Sequence, residues 1–117
     1  MELLEELKTL GADIDEGLER MMGNVSLYER MLGKFLDVMK DSTVADGFEK
    51  EDYEALIHET HTIKGTTGNL SLTPLYEAYS EIVRLLREEQ MEQAKKIYEG
   101  VLPTEQNILS CIERHTK

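Results

Sequence analysis

Apolar residues recur every three or four positions along almost all of this 117-residue chain, which is the spacing that gives a helix one apolar face. The chain has only two prolines, and no alternating apolar and polar stretch is bounded by turn residues as a strand would be. The sequence therefore predicts an all-α protein. We expect a single domain over residues 1–117, because a chain of this length buries a core without crosslinks.

The apolar pattern divides into four long helical segments preceded by short ones. The bundle helices are predicted at about 26–40, 50–70, 73–89 and 91–115, after short helical segments within 2–22. Long helices with short connections favour an antiparallel up-down-up-down four-helix bundle.

Local signals suggest where the first bundle helices begin. Ser26 is placed to cap the first of them, and residues 41–47 have the composition of a loop. Asp46 and Glu49 fit a capping box for the next helix, although a start at Lys50 fits equally well.

Two prolines mark further features of the helices. Thr73 followed by Pro74 predicts an N-cap and a first helical residue. Pro103 lies inside the last predicted helix and crowds the carbonyl of Glu99, so we expect a kink or a brief break there.

Charge and composition exclude several classes of partner. With 24 acidic and 13 basic residues the net charge is −11, which argues against nucleic acids and anionic membrane surfaces. No apolar run approaches the length of a membrane span, and the acidic start does not fit a signal peptide. The single cysteine, Cys111, cannot form an internal disulfide and suits a core position. We expect a cytoplasmic monomer.

A helix over residues 50–70 leaves His61 on its solvent-facing side. At about 100° per residue, His61 lies roughly 120° from the centre of the buried arc. Gly65 and Gly68, four and seven residues later, share its stripe. The arc itself is formed by Leu56, Ile57, Thr60, Ile63, Thr67 and Leu70.

Two glycines beside an exposed histidine indicate a surface that another protein approaches. Each glycine costs a helix about 0.8–1.0 kcal/mol relative to alanine, and folding gains nothing from that cost. Lys64, one turn after His61, adds a cation. A neutral imidazole with an adjacent ammonium suits a nucleophile that accepts a phosphoryl group, a reaction that depends on positioning and charge neutralisation.

The segment His61-Thr62-Ile63-Lys64-Gly65-Thr66-Thr67-Gly68-Asn69-Leu70 resembles the signature of histidine-containing phosphotransfer (HPt) domains of two-component phosphorelays. The run from Ile14 to Arg20 and the pairs Gly23-Asn24, Leu27-Tyr28 and Phe35-Leu36 resemble the family's approach to its first bundle helix. The resemblance covers nearly the whole chain.

The resemblance implies a role for each matching residue. His61 would be the phosphorylated nucleophile, Lys64 would lie near the phosphate, and Gly65 would give the partner room. Asn69 matches an asparagine to which we assign helix-end structure. Two positions depart from the family pattern: Ser71 stands where glycine is common, and Gly68 where alanine or serine is common, which leaves the site more open.

Three further residues are candidates for partner binding. His58 lies one turn before His61, where it is either a solvated neighbour or a residue that tunes the charge of the site. Met21 and Met22 are either core residues or part of an apolar docking patch.

The resemblance also implies the partners. A receiver-domain aspartate or a hybrid sensor kinase would donate the phosphoryl group, and a response-regulator receiver would accept it. The chain carries no nucleotide-binding loop, so it is a phosphoryl carrier without a kinase domain of its own. We expect no cofactor and no metal in it, with Mg²⁺ supplied by the receiver, and a surface near His61 that is less negative than the rest.

Two alternative functions stay open at the level of sequence. Glu54, His58 and His61 share a stripe that could bind a metal, although the spacing differs from that of helical zinc motifs. The chain could instead be a helical adaptor that is never phosphorylated.

Overall fold

The computed structural model describes residues 2–116, and they form seven α-helices without any strand. These are α1 (Leu3–Thr9), α2 (Ile14–Arg20), α3 (Val25–Lys40), α4 (Val44–Lys50), α5 (Tyr53–Asn69), α6 (Thr73–Arg87) and α7 (Met91–Thr116). The prediction of an all-α protein is confirmed. None of the described helices combines the length and apolarity needed to cross a membrane.

The long helices pack into a bundle around one apolar core. α6 lies between α5 and α7, and α3 packs against α7, while the short helices α1 and α4 cover α7 and α5 respectively. The helical bundle is confirmed, and the antiparallel order of its four long helices stays a prediction. The largest fully buried apolar side chains include Tyr28, Leu32, Leu56, Tyr79, Ile82, Ile108 and Ile112.

The prediction of a loop over residues 41–47 is wrong, because helix α4 begins at Val44. Val44 and Phe48 lie one turn apart, and both are buried. The Phe48 ring stacks on Tyr98 of α7, with ring centroids 5.1 Å apart. This tertiary burial turns a sequence with weak helix signals into a helix.

The predicted starts of three helices are corrected. Helix α5 begins at Tyr53, after both of the predicted starts, the capping box at Asp46 and Lys50. Asp52 caps it, because its carboxylate accepts from the backbone N–H of Ala55 at 3.1 Å. Asn24, rather than Ser26, caps α3 by accepting from the N–H of Leu27 at 2.9 Å.

At the start of α6, Leu72 is the N-cap and Thr73 is already helical. The Thr73 hydroxyl donates to the carbonyl of Ser71 at 3.4 Å, so it does not cap the helix. Pro74 is therefore the second helical residue and not the first as predicted, although it still lies in the first turn. Helix α7 runs through Pro103 without the predicted break. Pro103 and Glu99 both lie on its exposed side, where water can bind the Glu99 carbonyl that loses its helical partner.

One buried carboxyl group lies between α6 and α7. Glu105 is only 5% exposed, and one of its carboxyl oxygens accepts a 2.5 Å hydrogen bond from the hydroxyl of the buried Tyr79. Burial raises the pKa of Glu105, and the hydrogen bond from Tyr79 opposes that rise only in part.

We expect Glu105→Gln to stabilise the protein at neutral pH, because the amide keeps an acceptor for Tyr79 and carries no charge. Since the pKa of Glu105 is higher in the folded state, wild type binds more protons folded than unfolded and loses stability as pH rises above 4.5. The stability difference between variant and wild type should therefore shrink as pH falls toward 4.5. Urea unfolding as a function of pH measures it, and a pH-independent difference would contradict the assignment.

Candidate functional site

The rotation of α5 about its axis is set by a narrow buried face. Leu56, Thr60, Ile63 and Thr67 are buried as the periodicity predicted. Both threonine hydroxyls find hydrogen-bond acceptors within the helix. Thr60 donates to the carbonyl of Leu56 at 2.6 Å, and Thr67 donates to that of Ile63 at 2.9 Å. The buried face thus leaves no polar group unpaired, and the opposite face is directed to solvent.

The side chain of His61 is exposed on that opposite face, as predicted. His58, one turn earlier, is exposed as well. Lys64 is half-buried, and its ammonium forms no ion pair with any carboxylate of residues 2–116. An exposed imidazole and an unpaired ammonium one turn apart are thus available to a bound anion.

The two glycines of the stripe have different surroundings. A Cβ atom added at Gly65 would meet nothing within 4 Å. At Gly68 it would lie 3.0 Å from two ring carbons of Tyr76, a residue of α6 that is 40% exposed. The expectation of a bare surface therefore holds at Gly65 only, because the Tyr76 ring covers Gly68.

The end of α5 is held by side chains from α2 and α3. Tyr28 donates its hydroxyl hydrogen to the carbonyl of Leu70 at 2.5 Å. The Arg20 guanidinium donates to the carbonyl of Gly68 at 2.9 Å and to the hydroxyl of Ser71 at 2.5 Å. The bond from Tyr28 satisfies a carbonyl that the helix end leaves without a backbone partner. The Gly68 carbonyl accepts from the backbone N–H of Ser71 at 3.2 Å as well as from Arg20.

The backbone conformation of Ser71 is one that glycine adopts more easily than serine. Its φ is +54°, in the left-handed region that favours glycine. Its hydroxyl donates to Glu16 at 2.7 Å and accepts from Arg20, so side-chain contacts hold a conformation that costs a serine free energy. No local sequence signal marks Arg20 as a partner of this turn, because Arg20 and Ser71 lie 51 residues apart.

Two grooves flank the exposed face of α5. The groove toward α3 contains no carboxylate among its lining residues, which are Arg20, Met21, Met31, Lys34, Phe35, Val38, Thr66, Asn69 and Leu70. The groove toward α6 has mixed charge and is lined by Asp13, Glu16, Arg20, Gly65, Gly68, Asn69, Ser71, Thr73, Tyr76 and Glu77. Carboxylates are thus absent from the lining of the groove toward α3 and present in that of the groove toward α6. His61 lines neither groove, so the lower negative charge expected around it stays a prediction.

The structure separates Met21 from Met22. Met21 is half-buried, packs on the core and lines the groove toward α3. Met22 is 95% exposed, with a φ of +57°, and lies outside that groove. Asn69 ends α5 between the two grooves.

The stripe of Glu54, His58 and His61 does not gather into a metal-binding cluster. Within residues 2–116, the three-ligand cluster that does form lies elsewhere, at Glu6, Cys111 and His115. The alternative of a metal site on α5 therefore has no geometric support.

The fold and the exposed face of α5 define a class of protein, a helical bundle that presents a histidine to solvent beside a bare glycine. The family model described as Hpt domain matches residues 2–114, so the chain belongs to the Hpt domain family. Hpt domains carry out histidine phosphotransfer in phosphorelays, where they interact with receiver domains and kinases. Searches of curated proteins and of solved structures gave no match to this chain.

The surroundings of the two glycines predict opposite responses to alanine. Gly65→Ala should stabilise the protein by up to about 1 kcal/mol, because it gains helix propensity and its methyl group meets nothing. Gly68→Ala should gain less or lose stability, since the Tyr76 ring must move. Chemical denaturation of both variants makes the comparison; equal stabilisation of both would show that Tyr76 does not constrain Gly68.

Proposed function

We propose that His61 is the residue phosphorylated in this Hpt domain. It accepts a phosphoryl group from a receiver-domain aspartate or a sensor kinase and passes it to a response-regulator receiver. The observation that supports this most directly is the exposed imidazole on α5 with the unpaired ammonium of Lys64 and the bare surface of Gly65 beside it.

The other two histidines lack these surroundings. One turn after His58 stands Thr62, which carries a side chain and donates its hydroxyl to the His58 carbonyl at 3.1 Å. His115 at the end of α7 lies 3.2 Å from a carboxylate oxygen of Glu6. A receiver could approach neither imidazole over a side-chain-free helix surface.

The transfer is a nucleophilic substitution at phosphorus. A neutral imidazole nitrogen of His61 uses its lone pair to form the N–P bond while the P–O bond to the donor aspartate breaks and the carboxylate leaves. The Lys64 ammonium offsets part of the charge on the phosphoryl oxygens. Delivery to the next receiver reverses these bond changes. Mg²⁺ and the acidic pocket belong to the receiver, so this chain needs no cofactor of its own for the step.

The receiver docks over Gly65 and the groove toward α3. That groove combines an apolar floor that includes Met21 with two cations, Arg20 and Lys34. Arg20 forms an ion pair with Glu16 at 3.2 Å, so the Lys34 ammonium is the cation that complements the acidic pocket of a receiver and steers the two proteins together. His58 and Met22, both exposed, lie at the margin of this contact in the proposal.

Transfer from a pre-phosphorylated receiver domain tests His61, with His58→Gln as the matched control for His61→Gln. We expect label on wild type and on His58→Gln, and none on His61→Gln. The label should be lost in acid and kept in alkali, as for phosphohistidine. Label retained by His61→Gln would contradict the assignment, and no label on folded wild type across a broad panel of receivers and kinases would favour the adaptor function.

The close approach over Gly65 has its own test. Gly65→Arg should slow transfer by roughly 100-fold, since it displaces the reacting groups from each other. Gly100→Arg on α7 is the matched control, because Gly100 is also helical and exposed and has nothing within 4 Å of an added Cβ. Both variants should keep wild-type helicity by circular dichroism. Equal transfer rates for the two variants would rule out the close approach.

A further inference from the structure

Three side chains of different chemistry meet where α1 packs on the end of α7. Cys111 and His115 lie four residues apart on one face of α7, and Glu6 faces them from α1. One sulfur, one ring nitrogen and one carboxylate oxygen all lie within 4.8 Å of one another. Cys111 is fully buried, and the side chains of Glu6 and His115 are only 21% and 26% exposed.

We propose that Glu6, Cys111 and His115 bind one Zn²⁺ ion, with water as the fourth ligand. Thiolate sulfur, imidazole nitrogen and carboxylate oxygen are the ligands that zinc takes in proteins. Around a tetrahedral zinc the ligand atoms lie roughly 3.3–3.8 Å from one another. Side-chain rotations that move these atoms by about 1 Å therefore complete the site. The spacing of four residues places both α7 ligands on one side of the helix.

Arg114 supports the carboxylate from the other side. Its guanidinium contacts one carboxylate oxygen of Glu6 at 2.5 Å, while the other oxygen lies 3.2 Å from the His115 ring nitrogen. The second oxygen is therefore the one directed toward the cluster. A hydrogen-bonded partner behind a ligating carboxylate fixes its orientation, as outer partners do in metal sites.

Without metal, Glu6 is the common acceptor of the cluster. Burial raises the pKa of the Cys111 thiol to about 11, and the nearby Glu6 carboxylate adds to the rise. When zinc binds, the thiol proton passes to solvent and a Zn–S bond forms, with no change of oxidation state. The thiolate and the Glu6 carboxylate together offset the two charges of the ion.

The site is separate from the phosphotransfer surface. None of its three residues lines either groove beside α5. A bound ion would join α1 to the last turns of α7. Glu6 and His115, the ligands that it would connect, are 109 residues apart in the sequence. It would stabilise the bundle without taking part in transfer, and it departs from the absence of metal that the sequence led us to expect.

Titration of the chelator-treated full chain with Co²⁺ and then Zn²⁺ tests the proposal. We expect one ion per chain and a near-ultraviolet absorption from a cobalt–thiolate bond, which Zn²⁺ abolishes by displacement. Cys111→Ser should remove the absorption, and His115→Gln should weaken binding at least about 100-fold. His58→Gln and His61→Gln are the matched controls and should bind as wild type.

Thermal unfolding gives a second readout. We expect Zn²⁺ to raise the Tm of wild type and to leave the Tm of His115→Gln unchanged, because only a protein that binds the ion is stabilised by it. The His115 side chain lies at the end of α7 and is still 26% exposed, whereas Cys111 is fully buried, so His115→Gln is expected to fold even if Cys111→Ser is destabilised. Failure of wild type to bind either ion, binding without the thiolate absorption, or affinity unchanged in His115→Gln would overturn the proposal. Loss of binding in His61→Gln would do so as well, by placing the metal on α5.

Discussion

Burial of one narrow face of α5 is the constraint on which the site depends. A helix with only Leu56 and Ile63 as its fully buried apolar residues has a small apolar surface, and two of its buried positions are threonines. Their hydroxyls bond to carbonyls of the same helix, so burying them leaves no unsatisfied donor. A rotation of α5 that turned His61 inward would expose this apolar face and bury an imidazole in its place.

The turn after α5 fixes the helix along its axis and ties it to the rest of the molecule. Arg20 from α2 and Tyr28 from α3 both bond to backbone carbonyls there, at Gly68 and Leu70. Because these contacts join three elements, they hold the exposed face of α5 in one position relative to the groove toward α3. A carrier that meets both a donor and an acceptor gains from such preorganisation, since neither encounter has to order the site first.

Helix α1 and the last turns of α7 meet in a cluster of three polar side chains. Glu6, Cys111 and His115 join α1 to α7 by hydrogen bonds and ion pairs, in an arrangement that also offers three zinc ligands. These residues are distinct from His61, Lys64 and Gly65, through which we propose that phosphotransfer occurs.

The sequence by itself determined the helical class, the extents of the long helices to within a few residues, and the exposure of His61, because all of these follow from periodicity within one helix. Only the tertiary structure decided that α4 forms around Phe48, that Tyr76 covers Gly68, and that Arg20 holds the turn after α5. Local periodicity carries no information about which helix faces which. Contacts between residues tens of positions apart exist only once the bundle has packed.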